Sequence, residues 1–347
     1  MKNFKLQWHK LINWEYWPMP VVYYPIMPVW FFLALRAKSF FFFNAANPTI
    51  KNGGMAMESK KEIYDIMPTA SIPKTIYFKS NHCVEEILRT AALHQIQFPF
   101  IVKPDVGMKG LAVQIIKNKN ELVSYLKRST YPLLVQELVA YKNEVGIFYC
   151  RMPGETIGKI TGIVHKKMLS VTGNGNDTML QLVKKNPRSF YQLKALKKMY
   201  GDQLQTILPA GEKFVLVPYG SHTRGAEFTD YTYKLNKRLR QTIDHLCKNI
   251  DGFYYGRLDI RYACWEDFSN GKNFKVIELN GAGSEPTHIY DPSHSLLFAW
   301  KEIIRHWILL YKVSRMNYEK GYTYLSFAEG RIMLNENSLL EKKLKAF

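Results

Sequence analysis

Lys103 closes an apolar run, Phe100-Ile101-Val102, and is followed by Pro104-Asp105-Val106-Gly107-Met108-Lys109-Gly110 and then by Leu111-Ala112-Val113. This reads as a strand ending in a lysine, a glycine-containing turn and a second strand. Such a layout can hold phosphate: the ammonium group stands at the strand end, and Gly107 and Gly110 let a turn offer backbone N–H groups to phosphate oxygens. It is not a P-loop, which needs GxxxxGK and then serine or threonine, and an ordinary β-hairpin fits the same residues. A second constellation lies near the far end. Arg257, Asp259 and Arg261 alternate along one predicted strand, and Glu278 and Asn280 alternate along the next, after a turn at Ser269 to Lys272. Period-2 geometry puts each set on one face. Their oxygens suit Mg²⁺ bridging nucleotide phosphates, which needs only one or two carboxylates beside phosphate and water. A surface charge pair is the competing reading, but Leu258, Ile260, Ile277 and Leu279 flank these charges, so a cleft is expected. A third pair is Glu137 and Glu144, on strands Leu133 to Val139 and Asn143 to Ile147. Backbone groups at Gln136, Glu137 and Leu138 could meet a base and Glu144 a ribose. Taken alone, either glutamate reads more readily as a solvated strand-edge charge.

The elements that must position these residues are legible in outline. The 347 residues are 47% hydrophobic and 22% charged, a globular composition long enough for two or three lobes. Lys and Arg outnumber Asp and Glu by 48 to 29, giving a net charge of +19 that favours anionic partners. The lysines do not cluster with stacking aromatics, which argues against nucleic acid. Cys83, Cys150, Cys247 and Cys264 form no CxxC pair, so a reduced compartment is expected, and no cleavable signal is read at the start. Trp8 to Phe43 is crowded with aromatics, and Tyr16 to Leu35 carries no charge. That length would cross a bilayer, but Pro18, Pro20, Pro25 and Pro28 each remove a donor from a spanning helix. Two readings remain: an interfacial element with Lys2, Lys5, Lys10, Arg36 and Lys38 near anionic lipid, or a cap packed on the body. Met55 to Met67 has helical spacing, and Ser293 to about Lys320 carries a broad apolar stripe ahead of a basic tail around Lys342, Lys343 and Lys345, expected to be solvated.

Taken in order, these stretches resemble the ATP-grasp superfamily of carboxylate-amine ligases. The D-alanine:D-alanine ligase group is similar from Lys60 to Asn280. The ATP-grasp domain of the cyanophycin synthetase group is similar at Val171-Thr172-Gly173-Asn174-Gly175-Asn176-Asp177-Thr178 and at Ser221 to Thr232. The resemblance implies an α+β fold of two lobes gripping ATP between antiparallel sheets. The lobes would be residues 58–140 and 141–310, after an aromatic segment (1–57) and before a helical extension (311–347). It implies that Lys60, or Lys61, and Lys103 hold phosphates with the Gly107 and Gly110 loop, that Gln136, Glu137 and Leu138 face the adenine, and that Glu144 meets the ribose. Asp259, Glu278 and Asn280 would hold two Mg²⁺ ions, with Arg257 beside the transferred phosphoryl group; His165 and Lys166 are lesser candidates. The implied reaction activates a carboxylate as an acylphosphate and joins it to an amine, releasing ADP and phosphate, in the cytoplasm or on the inner membrane face. A phosphotransferase acting on a hydroxyl is the alternative.

Three departures bear on substrate. The aromatic residues before Glu58 do not read as the βαβ domain with which most relatives begin. Asn280 is followed by Gly281-Ala282-Gly283-Ser284-Glu285-Pro286-Thr287-His288 instead of a Pro-Gly turn. Glu285 or His288 could bind the second substrate there, or the stretch could be a plain loop. Ser221 to Arg224 differ from the cyanophycin pattern, which puts an amino-acid polymer substrate in doubt.

Overall fold

In the computed structural model, which describes residues 2–80 and 83–347 and the side chains from Leu6 onward, two antiparallel sheets face one another across a cleft. The side chains of Lys2 and Lys5 lie outside this description. The smaller lobe has strands β1 (Thr75–Phe78), β2 (Phe100–Pro104), β3 (Gln114–Ile116) and β4 (Leu133–Glu137), ordered β1-β4-β2-β3. Ile76, Phe78, Phe100, Val102, Leu133 and Val135 pack against the helices Val84–Leu93 and Lys119–Leu126. By alternation Ile101, Lys103, Leu134 and Gln136 take the other face, toward the cleft.

The larger sheet has the order β11-β10-β5-β6-β9, from β5 (Asn143–Cys150), β6 (Lys159–Lys167), β9 (Glu227–Asp230), β10 (Tyr255–Tyr262) and β11 (Phe274–Asn280). Val145, Ile147, Ile163, Leu258, Ile260 and Val276 lie against Leu239, Ile243, Leu246 and Cys247 of the helix Lys237–Lys248. Each such side chain is worth about 1.5–3 kcal/mol on burial. A one-residue slip would exchange this face for the charged one, so register is strongly specified. Strands β7 (Leu169–Thr172) and β8 (Lys213–Val217), with three α-helices between them in the chain, form a small two-stranded antiparallel sheet with its own apolar cluster. This is the α+β, two-lobed architecture expected from the sequence, with antiparallel sheets and a helical C-terminal region.

Several elements differ from expectation. The helix within Met55 to Met67 shrinks to Lys60–Asp65: Met57 has a positive φ of 65°, and Ser59 caps the first turn by accepting from the N–H of Glu62. The second strand of the lysine hairpin starts at Gln114, leaving 105–113 as a long loop. The helix Trp265–Ser269 precedes the turn between β10 and β11. The helix Leu296–Glu319 runs through residue 310, so no chain break falls there.

The N-terminal prolines break the uncharged run into the helices Met19–Tyr23 and Met27–Ala37 with a 3₁₀ turn between them, each proline at or just before the first turn, where a missing N–H costs nothing. By length and composition Met19–Ala37 could cross a membrane. Its inner side, however, is packed: Val22 and Ile26 lie against the helix Leu296–Glu319 and β6, and Trp30, Leu33 and Phe41 to Phe43 against Leu310, Tyr311 and Met333. Its outer side exposes Tyr24, Phe31, Phe32 and Leu35, and the first helix, Lys2–Ile12, exposes Trp8, Leu11 and Ile12. The basic tail keeps Lys342, Lys343 and Lys345 exposed, as expected, but its apolar residues are packed. Leu344 of the helix Phe327–Lys345 is buried, the Phe347 ring packs on Tyr125, and Arg128 covers it, so the helix ties the larger lobe to the smaller.

Candidate active site

The cleft between the sheets has a volume of about 1030 Å³ and is lined from both lobes, by the N-terminal segment and by the loop after β11. Its floor is a lattice of charges set by strand register. Arg257 lies opposite Asn280, Asp259 opposite Glu278 and Gly146, and Arg261 opposite Glu144. Lys166 of β6 reaches both Glu144, at 3.1 Å, and Asp259, at 2.9 Å. Arg257 holds Asp259 through two contacts, at 2.9 and 3.2 Å, and Arg261 lies 3.4 Å from Glu144. Burial alone would raise the Asp259 carboxyl, but Arg257 and Lys166 more than offset it and hold the group below its ordinary range. Gly146 makes room for this lattice. A β-carbon there would stand 3.1 Å from an Asp259 oxygen and 2.9 Å from Val164.

The smaller lobe supplies the facing cations. Lys103 is buried; its ammonium group donates to the Tyr64 hydroxyl at 2.8 Å and to Gln136 Oε1 at 3.0 Å. A bulge in β11 turns the Ile277 carbonyl toward it, and that oxygen accepts from the Tyr64 hydroxyl at 2.5 Å and from Lys103 Nζ at 3.4 Å. Burial pushes Lys103 down to about 8, against the pull of Glu278 and Asp105. Lys60 donates to the Gly107 carbonyl at 3.0 Å and lies 3.8 Å from Glu278, joining the phosphate-type loop to the floor. Lys61 pairs instead with Asp65 on the surface, so Lys60 is the cleft residue of the two. Asp105 fixes Lys60 in place, its carboxylate accepting from the Lys61 N–H and the Ser59 hydroxyl. The loop carrying Gly107 and Gly110 is tied at both sides. Arg224 donates to the Gly110 carbonyl, and Lys109 pairs with Glu341 of the C-terminal helix.

Other expected positions take different parts. The Glu137 carboxylate does not face the cleft freely: it accepts the N–H of Lys74, closing the end of β4, while Leu138 beside it lines the cleft. Gln136 orients Lys103 and donates to the Thr75 hydroxyl. Glu144 is buried and spent on Lys166 and Arg261, so it is a partner for cations more than an open acceptor. His165 points to the far face, stacked on Tyr231, whereas Lys166, next in sequence, is central. Strand alternation carried that signal. Arg261 and Tyr64 also belong to the site, and nothing local in the sequence ranks Tyr64 above other tyrosines.

Among the described residues no group of three or more His, Cys, Asp or Glu side chains could hold a metal alone. Asp259, Glu278 and Asn280 nevertheless fit a hard divalent cation in company with phosphate oxygens. Their register is adjacent, and Glu278 is only loosely held by Lys60. The cyanophycin-like stretch 171–178 lies outside the cleft lining, but Arg188 and His222 beyond it line the cleft and bind Glu15 of the N-terminal segment, at 2.7 and 2.8 Å.

No family model matches the chain. Over 202 residues it is 23% identical to the glutathione biosynthesis bifunctional protein GshAB of Clostridium perfringens, a match covering 52% of this chain and 25% of that protein. Among solved structures it is similar to D-alanine–D-alanine ligase of Bacillus anthracis, at 14% identity and a TM-score of 0.44, covering 78% of this chain and 72% of the other. It is also similar to a bifunctional glutathione synthetase of Pasteurella multocida, at 16% identity and a TM-score of 0.39, covering 75% and 38%. The chain therefore spans well under half the length of the two glutathione enzymes.

Replacing Lys166 by Met removes the cation shared by two buried carboxylates, leaving Asp259 only Arg257 and Glu144 only Arg261. It should cost about 3–5 kcal/mol in urea unfolding at pH 7, against at most about 1 kcal/mol for Lys61→Met at its exposed pair.

Proposed function

We propose that the chain is an ATP-dependent carboxylate-amine ligase of ATP-grasp type. The observation that carries this reading is the opposition, across one cleft, of Lys60 and Lys103 from the smaller lobe to the Arg257, Asp259, Glu278 and Asn280 row of the larger. A substrate carboxylate attacks the γ-phosphorus of ATP to form an acylphosphate, and an amine then displaces phosphate to form an amide. Both reacting groups of the first step are anions, so electrostatic stabilisation is the main task and no covalent protein nucleophile is needed. In this reading Lys60 and Lys103 bind phosphate oxygens, Arg257 faces the transferred phosphoryl group, and the tied glycine loop covers it from water. Main-chain groups at Glu137 and Leu138 border the base. Asp259, Glu278 and Asn280 would hold Mg²⁺ together with phosphate oxygens, and the ion would neutralise phosphate charge.

The same proposal sets the reaction at an anionic membrane surface. In its support, Phe31, Phe32, Leu35 and Trp8 are exposed on one segment with Lys10, Arg36 and Lys38, and the one acidic side chain of the first 57 residues, Glu15, is turned inward to Arg188. The four cysteines are free, which accords with the inner face.

Glu278→Gln should lower ADP formation by about 10²- to 10³-fold without loss of folding. ADP release should require both a carboxylate and an amine; release with an alcohol alone would make the chain a phosphotransferase instead. Phosphate prefers the protonated form of Lys103, so affinity for MgADP should be flat below about pH 8 and fall up to about tenfold per pH unit above it. Lys103→Arg, always charged, should flatten that slope in a calorimetric titration. Vesicles containing phosphatidylglycerol should float the intact chain, and the triple change Phe31→Ser, Phe32→Ser, Leu35→Ser should abolish flotation; equal flotation of both would rule out this docking face.

A further inference from the structure

Beyond Arg257 the cleft continues into a chamber whose walls are the N-terminal segment and the loop after Asn280. Trp14, Trp17, Met19 and Val22 line it from the segment and Glu285, Thr287 and Tyr290 from the loop, with the Trp14 ring stacked on Tyr290 and Met19 Sδ accepting from the Tyr290 hydroxyl. Glu285 is the notable group. Its carboxylate accepts from the Tyr23 hydroxyl of the N-terminal segment and from the Tyr290 hydroxyl, at 3.3 Å. Burial and the nearness of Glu285 itself push both phenols well above their ordinary value, so they remain donors. Among the described residues, no lysine, arginine or histidine lies within ion-pair distance of Glu285, whereas Glu144, Asp259 and Glu278 each have such a partner. Arg257 hydrogen-bonds only the Glu285 main-chain carbonyl, at 3.3 Å, and its charge acts on the Glu285 carboxylate from beyond ion-pair distance. One further polar atom of a cleft-lining residue, Thr287 Oγ1, which can accept a hydrogen bond, is buried without a partner, and Thr287 is 8% exposed. An anion held by two neutral donors, beside apolar side chains and an unpartnered hydroxyl, is a site short of a cation.

We propose that Glu285, held by Tyr23 and Tyr290, anchors the ammonium group of the second substrate, an amine carried on an apolar body that lies along Trp14, Trp17, Met19 and Val22. The inference rests on the ligase reading and specifies its acceptor. It also gives the N-terminal segment a direct part in the site, because Tyr23 positions the carboxylate while Val22, its neighbour, packs into the core. The segment is pinned to the larger lobe through Glu15, Arg188 and His222, so the chamber wall is fixed before any substrate arrives.

The test uses three probes of similar shape, phenethylamine, 2-phenylethanol and 3-phenylpropanoate, titrated into the full chain with MgADP present and followed by calorimetry. Phenethylamine should bind at least tenfold more tightly than the alcohol and the acid. Glu285→Gln, which keeps the side-chain shape, should erase that preference, and Tyr23→Phe should reduce it; thermal unfolding checks that each variant is folded. An amine that binds no better than the alcohol, or an undiminished preference in Glu285→Gln, overturns the assignment. Titration of MgADP alone into the same sample separates the two levels. If MgADP binds and the amine preference is missing, only the acceptor site falls; if MgADP does not bind, the ligase reading itself fails.

Discussion

Buried charge that must be paired is the constraint around which this molecule is arranged. Asp259, Glu144 and Lys166 are all nearly inaccessible to water. Isolated, each would cost several kcal/mol to desolvate. Register across β6, β5 and β10 gives each an opposite partner within about 3 Å, and this is possible only because Gly146 leaves room between them. The opposite face of the same strands is apolar and carries the core. One alternation therefore produces both stability and a site, and neither can be shifted without the other.

The two lobes meet through polar groups as well as apolar ones. The Ile277 bulge, Tyr64, Lys103 and Gln136 form a connected set in which a main-chain carbonyl of the larger sheet accepts from side chains of the smaller lobe. Lys103 is thus held near Glu278, with its pKa lowered to about 8 by burial. A cation so placed gains most when an anion enters, because it then recovers the electrostatic partner that desolvation removed.

Both chain ends serve the cleft. The aromatic N-terminal segment lines one end with Trp14 and Trp17, and the C-terminal helix reaches over the glycine loop through Glu341 before Phe347 docks on the smaller lobe. The competing readings of the first segment, cap or interfacial element, prove not to exclude one another. Its inward aromatics are packed and its outward ones are exposed.

The sequence by itself determined the strands and the faces of their charges, since a two-residue period is a local property. Arg257, Asp259, Glu278 and Asn280 could be assigned to one surface from alternation, and Lys103 to a strand end. Only the tertiary structure decided which charges are free and which are spent. Glu144 and Glu137 are equivalent as letters, yet one is locked between Lys166 and Arg261 and the other is turned onto the Lys74 N–H. It alone separated Lys60 from Lys61 and Lys166 from His165, and brought Tyr23 to Glu285 across 262 positions. The physical reason is range: backbone periodicity is set by nearest neighbours, whereas the partner of a buried charge is set by whichever strand, loop or terminus the closed fold brings beside it.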